Sequence, residues 1–168
     1  MREASRRLAQ DGLLEHRPRR GYRVPELTSG ELDDLYEVRI HLELLSVRRA
    51  AAGPGNAAVA ELVLVWGAGA DTLRPGTTML HLDEQFHVGL ALATGQRALA
   101  DTIDSINARI RLVRVRDFLN EDRVRATVIQ HRAILDAIVA GDAALAGRLM
   151  RRHILESRAF VAGVRPTR

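Results

Sequence analysis

The amino-acid sequence predicts an all-α fold, a six-helix bundle preceded by one short helix and a β-hairpin. Of its 168 residues, 46% are hydrophobic but only 4% are aromatic. The core must therefore be built mainly from Leu, Ile, Val and Ala, a composition that favours helices over sheet. From residue 29 onwards apolar residues recur with helical periodicity, and glycine and proline divide this pattern into segments of helix length.

The composition also excludes several classes of site. There is no cysteine, so disulfides and thiolate metal sites are ruled out, and any metal must be bound by His, Asp or Glu. No apolar run reaches membrane-spanning length, and the N-terminus is too charged for a signal peptide. These features predict a cytoplasmic protein with no membrane partner.

The first 25 residues form a basic head. A helix is predicted over residues 2–11 and Gly12 stops it; two strand-like pieces then flank the turn from Pro18 to Gly21. Residues 1–24 contain seven arginines and three acids, whereas the remaining residues contain 18 of each. A basic head on a neutral body suggests an anionic partner. The alternative is a chance fluctuation of charge in a short window.

Residues 26–168 are assigned to the helical body. Thr28 and Glu31 predict a capping box for a helix that extends to about Ala52, where Gly53-Pro54-Gly55 ends it. Thr77 or Thr78 is expected to cap the third body helix, which Gly95 closes. Gly141-Asp142 separates the last two helices, as a stop followed by an N-cap. The other helices are predicted over residues 57–69, 97–119, 122–140 and 143–162.

Four polar residues lie on apolar helix faces. Asp83 and His87 are four residues apart and share a face with Phe86, while His131 and His153 lie on the apolar stripes of the last two helices. A single buried histidine more often hydrogen-bonds a neighbour than binds a metal. Four inward polar groups would each need a buried partner, and one metal ion satisfies all of them together.

The spacing of the last two histidines supports the same site. His131 lies ten residues before Gly141 and His153 lies twelve after it. In an antiparallel hairpin the two rings would stand about 15 and 18 Å from the turn, roughly level with each other. Three imidazoles and one carboxylate suit Zn²⁺, Ni²⁺, Co²⁺ or Mn²⁺, of which zinc or nickel is favoured.

Arginines on the helical body provide candidates for effector binding. Arg39 lies on an apolar stripe, with Glu43 one turn further on. It can form a structural ion pair with Glu43, or its guanidinium can bind a ligand carboxylate in the metal cavity. Arg109 and Arg116 are further candidates for the second task.

The other histidines are assigned different positions. His16 lies in the basic hairpin, where it can contact phosphate. His41 and His81 are expected on the solvated surface, and Glu84 and Gln85 on the solvent side of the turn that carries Asp83.

Four segments together resemble one protein family. The segment REASRRLAQDGLLEHRPRRGYRV is similar to the end of a winged helix-turn-helix, and LYEVRIHLE to the opening of an effector domain. LDEQFH matches an Asp-x-x-Phe-His motif, and HRAILDAIVAGDAALAGRLMRRHI matches a His-to-His segment with its Gly-Asp break. On these segments the chain resembles bacterial transcription regulators of the GntR family, FadR-type, with a C-terminal ligand-binding FCD domain.

The resemblance implies a metal bound by Asp83, His87, His131 and His153, and a cavity beside it for a small organic acid. It also implies a homodimer whose DNA affinity the ligand controls. Met1 aligns inside the family's recognition helix, so residues that would enter the major groove first are absent from this chain. Three explanations of this difference stay open: a misassigned start codon, a trimmed chain, or a protein that lacks a full DNA-binding head. The remaining DNA contacts would be Arg2, Arg6, Arg7, Arg17, Arg19, Arg20 and Arg23.

Two other functions compete with a ligand-responsive regulator. A metal with an open position could activate water in a metal-dependent hydrolase, although the sequence offers no clear general base besides the ligands. Alternatively, the bundle could be purely structural, its histidines satisfied by hydrogen bonds.

Overall fold

The computed structural model of the protein describes residues 2–10, 13–53, 57–67, 70 and 72–164. Several predicted features lie outside the described part, namely the stop at Gly12, the break at Pro54 and Gly55, the end of the second body helix at residues 68–69, and the side chains of Arg2 and Arg7.

The head folds as a helix and a hairpin, as predicted. Helix α1 spans Arg2–Gln10, and strands β1 (Glu15–Arg17) and β2 (Gly21–Arg23) pair antiparallel, with His16 opposite Tyr22. Gly21 adopts a φ of 81° and Arg19 one of 64°. The turn thus places glycine at one of the two positions where a left-handed backbone is required.

The body contains the six predicted helices within the described residues. They are α2 (Ser29–Ala52), α3 (Ala57–Trp66), α4 (Thr77–Leu92), α5 (Arg97–Arg114), α6 (Glu121–Val139) and α7 (Ala143–Val164), with a 3₁₀ turn at Asp117–Leu119. The chain is therefore all-α apart from the two-stranded hairpin, which confirms the predicted fold class. No helix in the described ranges is long and apolar enough to cross a membrane.

Side-chain caps fix the beginnings of three body helices. The Thr28 hydroxyl accepts a hydrogen bond from the Glu31 amide at 3.2 Å, and the Glu31 carboxylate accepts one from the Thr28 amide at 2.8 Å. This reciprocal pair is the predicted capping box. Asn120 caps α6, and Asp142 accepts from the Leu145 amide at 2.8 Å at the start of α7. Together these caps set where α2, α6 and α7 begin.

The predicted cap of α4 was wrong. Thr77 is already inside the helix, and the N-cap is Gly76, which makes no side-chain cap hydrogen bond. Gly76 has a φ of 144°, and its amide donates to the Phe118 carbonyl at 2.7 Å. This backbone conformation strongly favours glycine, so α4 is started by backbone geometry rather than by a threonine hydroxyl.

The predicted end of α5 was also wrong. The helix stops at Arg114 and not at residue 119, because the chain must reverse within a few residues to let Asn120 cap α6. The 3₁₀ turn makes this reversal and buries Phe118, whose ring lies 5.2 Å below the Arg114 guanidinium carbon.

One apolar core connects the body helices. Helix α2 packs against α4, α5, α6 and α7, and α6 and α7 pack against each other as a hairpin around Gly141. Large apolar side chains such as Tyr36, Phe86 and Ile154 are fully buried in this core. Among the largest fully buried side chains are also two arginines, Arg39 and Arg114, and both lie close to the site described next.

Candidate metal centre

Four side chains from three helices meet inside the bundle, as predicted. Asp83 and His87 come from α4, His131 from α6 and His153 from α7, and all four are buried. Each offers one ligand atom, and these atoms lie within 4.8 Å of one another. The i,i+4 spacing on α4 and the level positions on the α6–α7 hairpin therefore produce the expected convergence.

The separations between the ligand atoms suit a small divalent cation. The Nε2 atoms of His131 and His153 are 3.3 Å apart, and His131 Nε2 lies 3.5 Å from Asp83 Oδ1. His87 Nε2 lies 3.6 Å from Asp83 Oδ2. Two bonds of about 2.0–2.1 Å to one tetrahedral ion would place their donor atoms about 3.4 Å apart. The His131–His153 and His131–Asp83 Oδ1 separations are close to that value, whereas the His87 separation is measured to the other carboxylate oxygen, Oδ2.

Neighbouring side chains hold two of the imidazoles in the tautomer that a metal needs. Nδ1–H of His87 donates to the Glu43 carboxylate, and Nδ1–H of His153 donates to the Gln130 carbonyl oxygen at 2.7 Å. Glu156 accepts in turn from the Gln130 amide. With the proton on Nδ1, the Nε2 lone pairs of both rings face the centre of the cluster.

Aromatic rings position the third imidazole. The Phe86 ring stacks on His131 with centroids 3.6 Å apart and planes 7° apart. The Trp66 ring meets His131 edge-on at 4.2 Å. Within the described part of the chain His131 Nδ1 has no hydrogen-bond partner, so packing rather than hydrogen bonding fixes this ring.

The buried environment sets the charge of the four groups. Burial lowers the pKa of His87 and lowers those of His131 and His153 well below the usual value. Burial raises the pKa of Asp83, but the positive charge of the adjacent Arg114 guanidinium opposes that effect, and the pKa lies well below its ordinary value. Neutral imidazoles and an ionised carboxylate are the protonation states in which these groups bind a metal.

Arg39 combines features of both predicted roles. Its Nε donates to Glu43 Oε1 at 2.6 Å in a fully buried pair, which is the structural alternative. Glu43 in turn accepts from His87, so the pair holds one of the four converging side chains, an imidazole. Arg39 Nη1 and Nη2 are buried without a hydrogen-bond partner among the described residues, and these are the donors that the effector alternative requires.

The structure does not bring Arg109 or Arg116 to the cluster, because both side chains are exposed. The buried arginine of α5 is Arg114, whose Nη2 donates to Asp83 Oδ2 at 2.5 Å. Sequence reasoning missed it, although Ile103, Asn107, Ile110 and Arg114 follow one another at helical spacing and all are buried. The prediction of Arg109 and Arg116 thus chose the correct helix but the wrong face of it.

A second stripe of polar residues leads to His131 along α6. Arg123 and Thr127 precede His131 at intervals of four residues, and both are buried. This repeat was present in the sequence and was not recognised. Asn107 of α5 and Asp117 of the 3₁₀ turn are likewise buried. Atoms of all four side chains lack a hydrogen-bond partner within the described ranges.

The predictions about surface residues differ in outcome. His41 of α2 and His81 and Gln85 of α4 are exposed, as expected, whereas Glu84 of α4 is only 5% exposed and the prediction that it faces solvent was wrong. The Arg111 guanidinium donates to Glu84 at 2.9 Å and shields it from water. A carboxylate engaged in this way is poorly placed to serve as the general base of a hydrolase.

Basic side chains cluster on the hairpin of the head. Arg6, Arg17, Arg19, Arg20 and Arg23 are exposed, as is His16. Arg17 and Arg23 both pair with Glu15, at 3.2 and 2.8 Å. A surface cleft of about 390 Å³ is lined by Arg17, Arg20, Tyr22 and Arg23. These residues form an open, positively charged surface suited to phosphate.

A second surface cleft, of about 440 Å³, lies between α2 and α5. Residues lining it include Val38, Ile106 and Arg109 together with Glu31 and Asp34. None of the four predicted ligands lines either cleft, because those ligands are enclosed inside the bundle.

Comparison with known proteins identifies the family. Residues 34–156, which include all four predicted ligands, match the family described as the FCD domain. The chain belongs to the FCD-domain family. The resemblance found in the sequence to GntR-type regulators with this domain is therefore confirmed.

Curated relatives of this chain are described as transcription regulators. The chain is 34% identical over 116 residues to the Nta operon transcriptional regulator of Aminobacter aminovorans, covering 68% of this chain and 55% of that protein. It is 27% identical over 144 residues to the HTH-type regulator YdhC of Bacillus subtilis, covering 82% and 63%. The chain thus spans less than two thirds of the length of either relative.

Solved structures share the fold of this chain. A GntR transcriptional regulator from Rhodococcus sp. RHA1 superposes with a TM-score of 0.77 at 24% identity, covering 98% of this chain and 80% of that one. The E. coli protein McbR/YncC gives a TM-score of 0.79 at 19% identity, covering 97% and 83%. At these identities the likeness supports the helical architecture and the hairpin that precedes it.

Proposed function

We propose that this chain is the sensing part of a ligand-responsive transcription regulator, with a divalent metal held by Asp83, His87, His131 and His153. The observation that carries the proposal is the convergence of these four buried side chains, with Glu43 and Gln130 fixing two ring tautomers. His87 Nε2 and Asp83 Oδ1 are buried and have no hydrogen-bond partner in the described structure. A purely structural bundle does not account for these unsatisfied polar atoms, whereas a bound metal does.

The metal would serve as an anchor for a small organic acid. When bound, it supplies a positive charge and an open coordination position for a carboxylate. Arg39 would bind the same ligand through its two unpartnered nitrogens. In a homodimer, ligand binding would change the relative placement of two DNA-binding heads and hence DNA affinity. Zinc or nickel fits the donor set best.

The single tryptophan offers a direct test of metal binding. Trp66 lies 4.2 Å from the ring of His131, so Ni²⁺ or Co²⁺ bound at the site should quench its fluorescence. Titrating chelator-treated protein with Ni²⁺ should give a saturable signal at one ion per chain, and Zn²⁺ should compete with it. A linear, unsaturable response at micromolar nickel would contradict the proposal.

The head should bind DNA weakly and without sequence preference. Its seven arginines can contact phosphate, so the logarithm of the binding constant should fall with the logarithm of salt with a slope of up to about −6. Arg19→Ala with Arg20→Ala should weaken binding in a gel shift. Arg125→Ala with Arg151→Ala, on exposed positions of the neutral body, is the matched control. Tight, sequence-specific binding by this chain would overturn the expectation.

A further inference from the structure

Three buried arginines surround the four proposed ligands. Arg39 of α2 contacts Glu43, which contacts His87, and Arg114 of α5 contacts Asp83 directly. Arg123 of α6 lies eight residues before His131 on the same face. The three guanidinium groups thus lie on three different helices around the site, although Arg123 is about 12 Å from His131 along α6 and acts on Asp83 and His131 through its charge.

The buried charges balance before any metal is added. Three positive charges from Arg39, Arg114 and Arg123 face three buried carboxylates, Glu43, Asp83 and Asp117. The remaining buried acid, Glu84, is paired with the partly exposed Arg111. Among the described residues, no other Arg, Asp or Glu side chain is buried. The core is thus close to neutral when its three histidines are neutral.

A divalent ion disturbs this balance by two charges. Metal-bound imidazoles remain neutral, so Asp83, His87, His131 and His153 cannot absorb the added charge. A net charge inside a low-dielectric core is strongly unfavourable unless a counter-charge accompanies it. Two negative charges on what binds beside the metal would restore the balance.

The unpartnered donors show where such charges would be held. Arg39 leaves Nη1 and Nη2 free, Arg114 leaves Nε and Nη1, and Arg123 leaves Nε and Nη2, all buried and without a hydrogen-bond partner in the described ranges. Unmade hydrogen bonds of buried charged groups are costly. Asn107 and Thr127 add further unpartnered polar atoms from α5 and α6. The donors thus form two sets. Arg39 lies beside the Glu43–His87 pair, and Arg114 with Arg123 lies near Asp83 and Asp117.

Resting on the proposed function, we propose that the effector is a dianion with two acidic groups, such as a short dicarboxylate. One group binds the metal within reach of Arg39, and the other is held by Arg114 and Arg123. Such a ligand neutralises the metal's two charges and supplies acceptors to both sets of guanidinium donors.

Matched acids test the proposal on the zinc-loaded chain. The measurement is made at pH 8, where Asp117 is ionised although burial raises its pKa to about 6. Succinate should then bind at least about tenfold more tightly than butyrate, because its second carboxylate gains charge-assisted hydrogen bonds. Malonate against propionate provides a second pair. Calorimetry measures affinity, and the zinc content after gel filtration shows that the metal was retained.

A variant of Arg123 locates the second acidic group. Arg123→Met should weaken succinate binding by about tenfold or more and leave butyrate binding unchanged. Arg123→Met combined with Asp117→Asn restores the charge balance if the single variant folds poorly. Arg125→Met, an exposed neighbour on the same helix, is the matched control and should change neither affinity.

Each outcome decides the proposal. Equal affinity for succinate and butyrate, or no binding of either to protein that retains its zinc, would overturn the dianion while the metal site stands. Failure of the chain to hold zinc or nickel would instead overturn the proposed function itself.

Discussion

The double variant His131→Ala, His153→Ala is expected to purify without stoichiometric metal, whereas the unaltered chain retains about one ion. The substitutions remove two of four ligands, and even loss of a residue that merely orients a ligand typically weakens metal affinity about 10- to 100-fold. Elemental analysis after gel filtration measures the difference. The matched control is His41→Ala with His81→Ala, which removes two exposed histidines and should leave the metal content unchanged.

Thermal melting gives an independent measure of metal binding by the same double variant. A ligand at 100 times its dissociation constant stabilises a protein by about 2.7 kcal/mol, and each kcal/mol shifts the melting temperature of a chain of this size by about 2–4 °C. A strong chelator should therefore lower the melting temperature of the unaltered chain by several degrees and leave that of the double variant unchanged. Equal chelator shifts in the two proteins would contradict the assignment of these ligands.

Replacing Arg114 with methionine should destabilise the metal-free chain by about 3–5 kcal/mol, the usual cost of removing one partner of a buried ion pair. The guanidinium donates to Asp83 at 2.5 Å, and without it the carboxylate is left charged and without its principal counter-ion inside the bundle. Urea unfolding followed by Trp66 fluorescence measures the loss. Arg116→Met, two residues along the chain and exposed, is the control and should change stability by less than about 0.5 kcal/mol.

Two additions should reverse much of the loss in Arg114→Met. Saturating Zn²⁺ places a positive charge beside Asp83 and should reduce the destabilisation, because the ion replaces the missing guanidinium. Asp83→Asn in the same chain removes the uncompensated charge and should also restore part of the stability. If neither reduces the loss, Arg114 acts through packing on Phe118 rather than through Asp83.

The convergence of the four proposed ligands was predictable because the pattern of each helix contains the necessary geometry. Asp83 and His87 must share a face at four-residue spacing. His131 and His153 must stand level once Gly141 is recognised as the turn of a hairpin. Neither argument depends on which other side chains fill the core, so both could be made from the sequence alone.

The buried arginine of α5 was not predicted in the same way. Arg109, Arg114 and Arg116 share one basic helix, and the choice among them depends on which face of α5 packs against α2 and α4. That face is set by tertiary contacts, among them the Arg114–Asp83 pair and the packing of Phe118 in the 3₁₀ turn. The glycine start of α4 and the turn that follows α5 are joined by one hydrogen bond between residues distant in sequence, from the Gly76 amide to the Phe118 carbonyl.

The burial of Glu84 shows a second feature that helical periodicity does not predict. Its neighbour Gln85 is exposed, and helical periodicity alone assigned both to the solvent side. The Arg111 side chain, 27 residues further along the chain, covers Glu84 by donating to its carboxylate. A contact between residues so distant in sequence cannot be inferred from the pattern of α4.

The α6–α7 hairpin restricts where residues can be inserted or deleted between His131 and His153 during evolution. Inserting one residue between His131 and the turn would rotate that ring by about 100° around its helix and move it about 1.5 Å along the axis. An equal insertion in α7 would displace His153 in the same manner. Gain or loss of residues between the two histidines is therefore compatible with the site only at the exposed turn of Gly141 and Asp142, where the helices can keep their register.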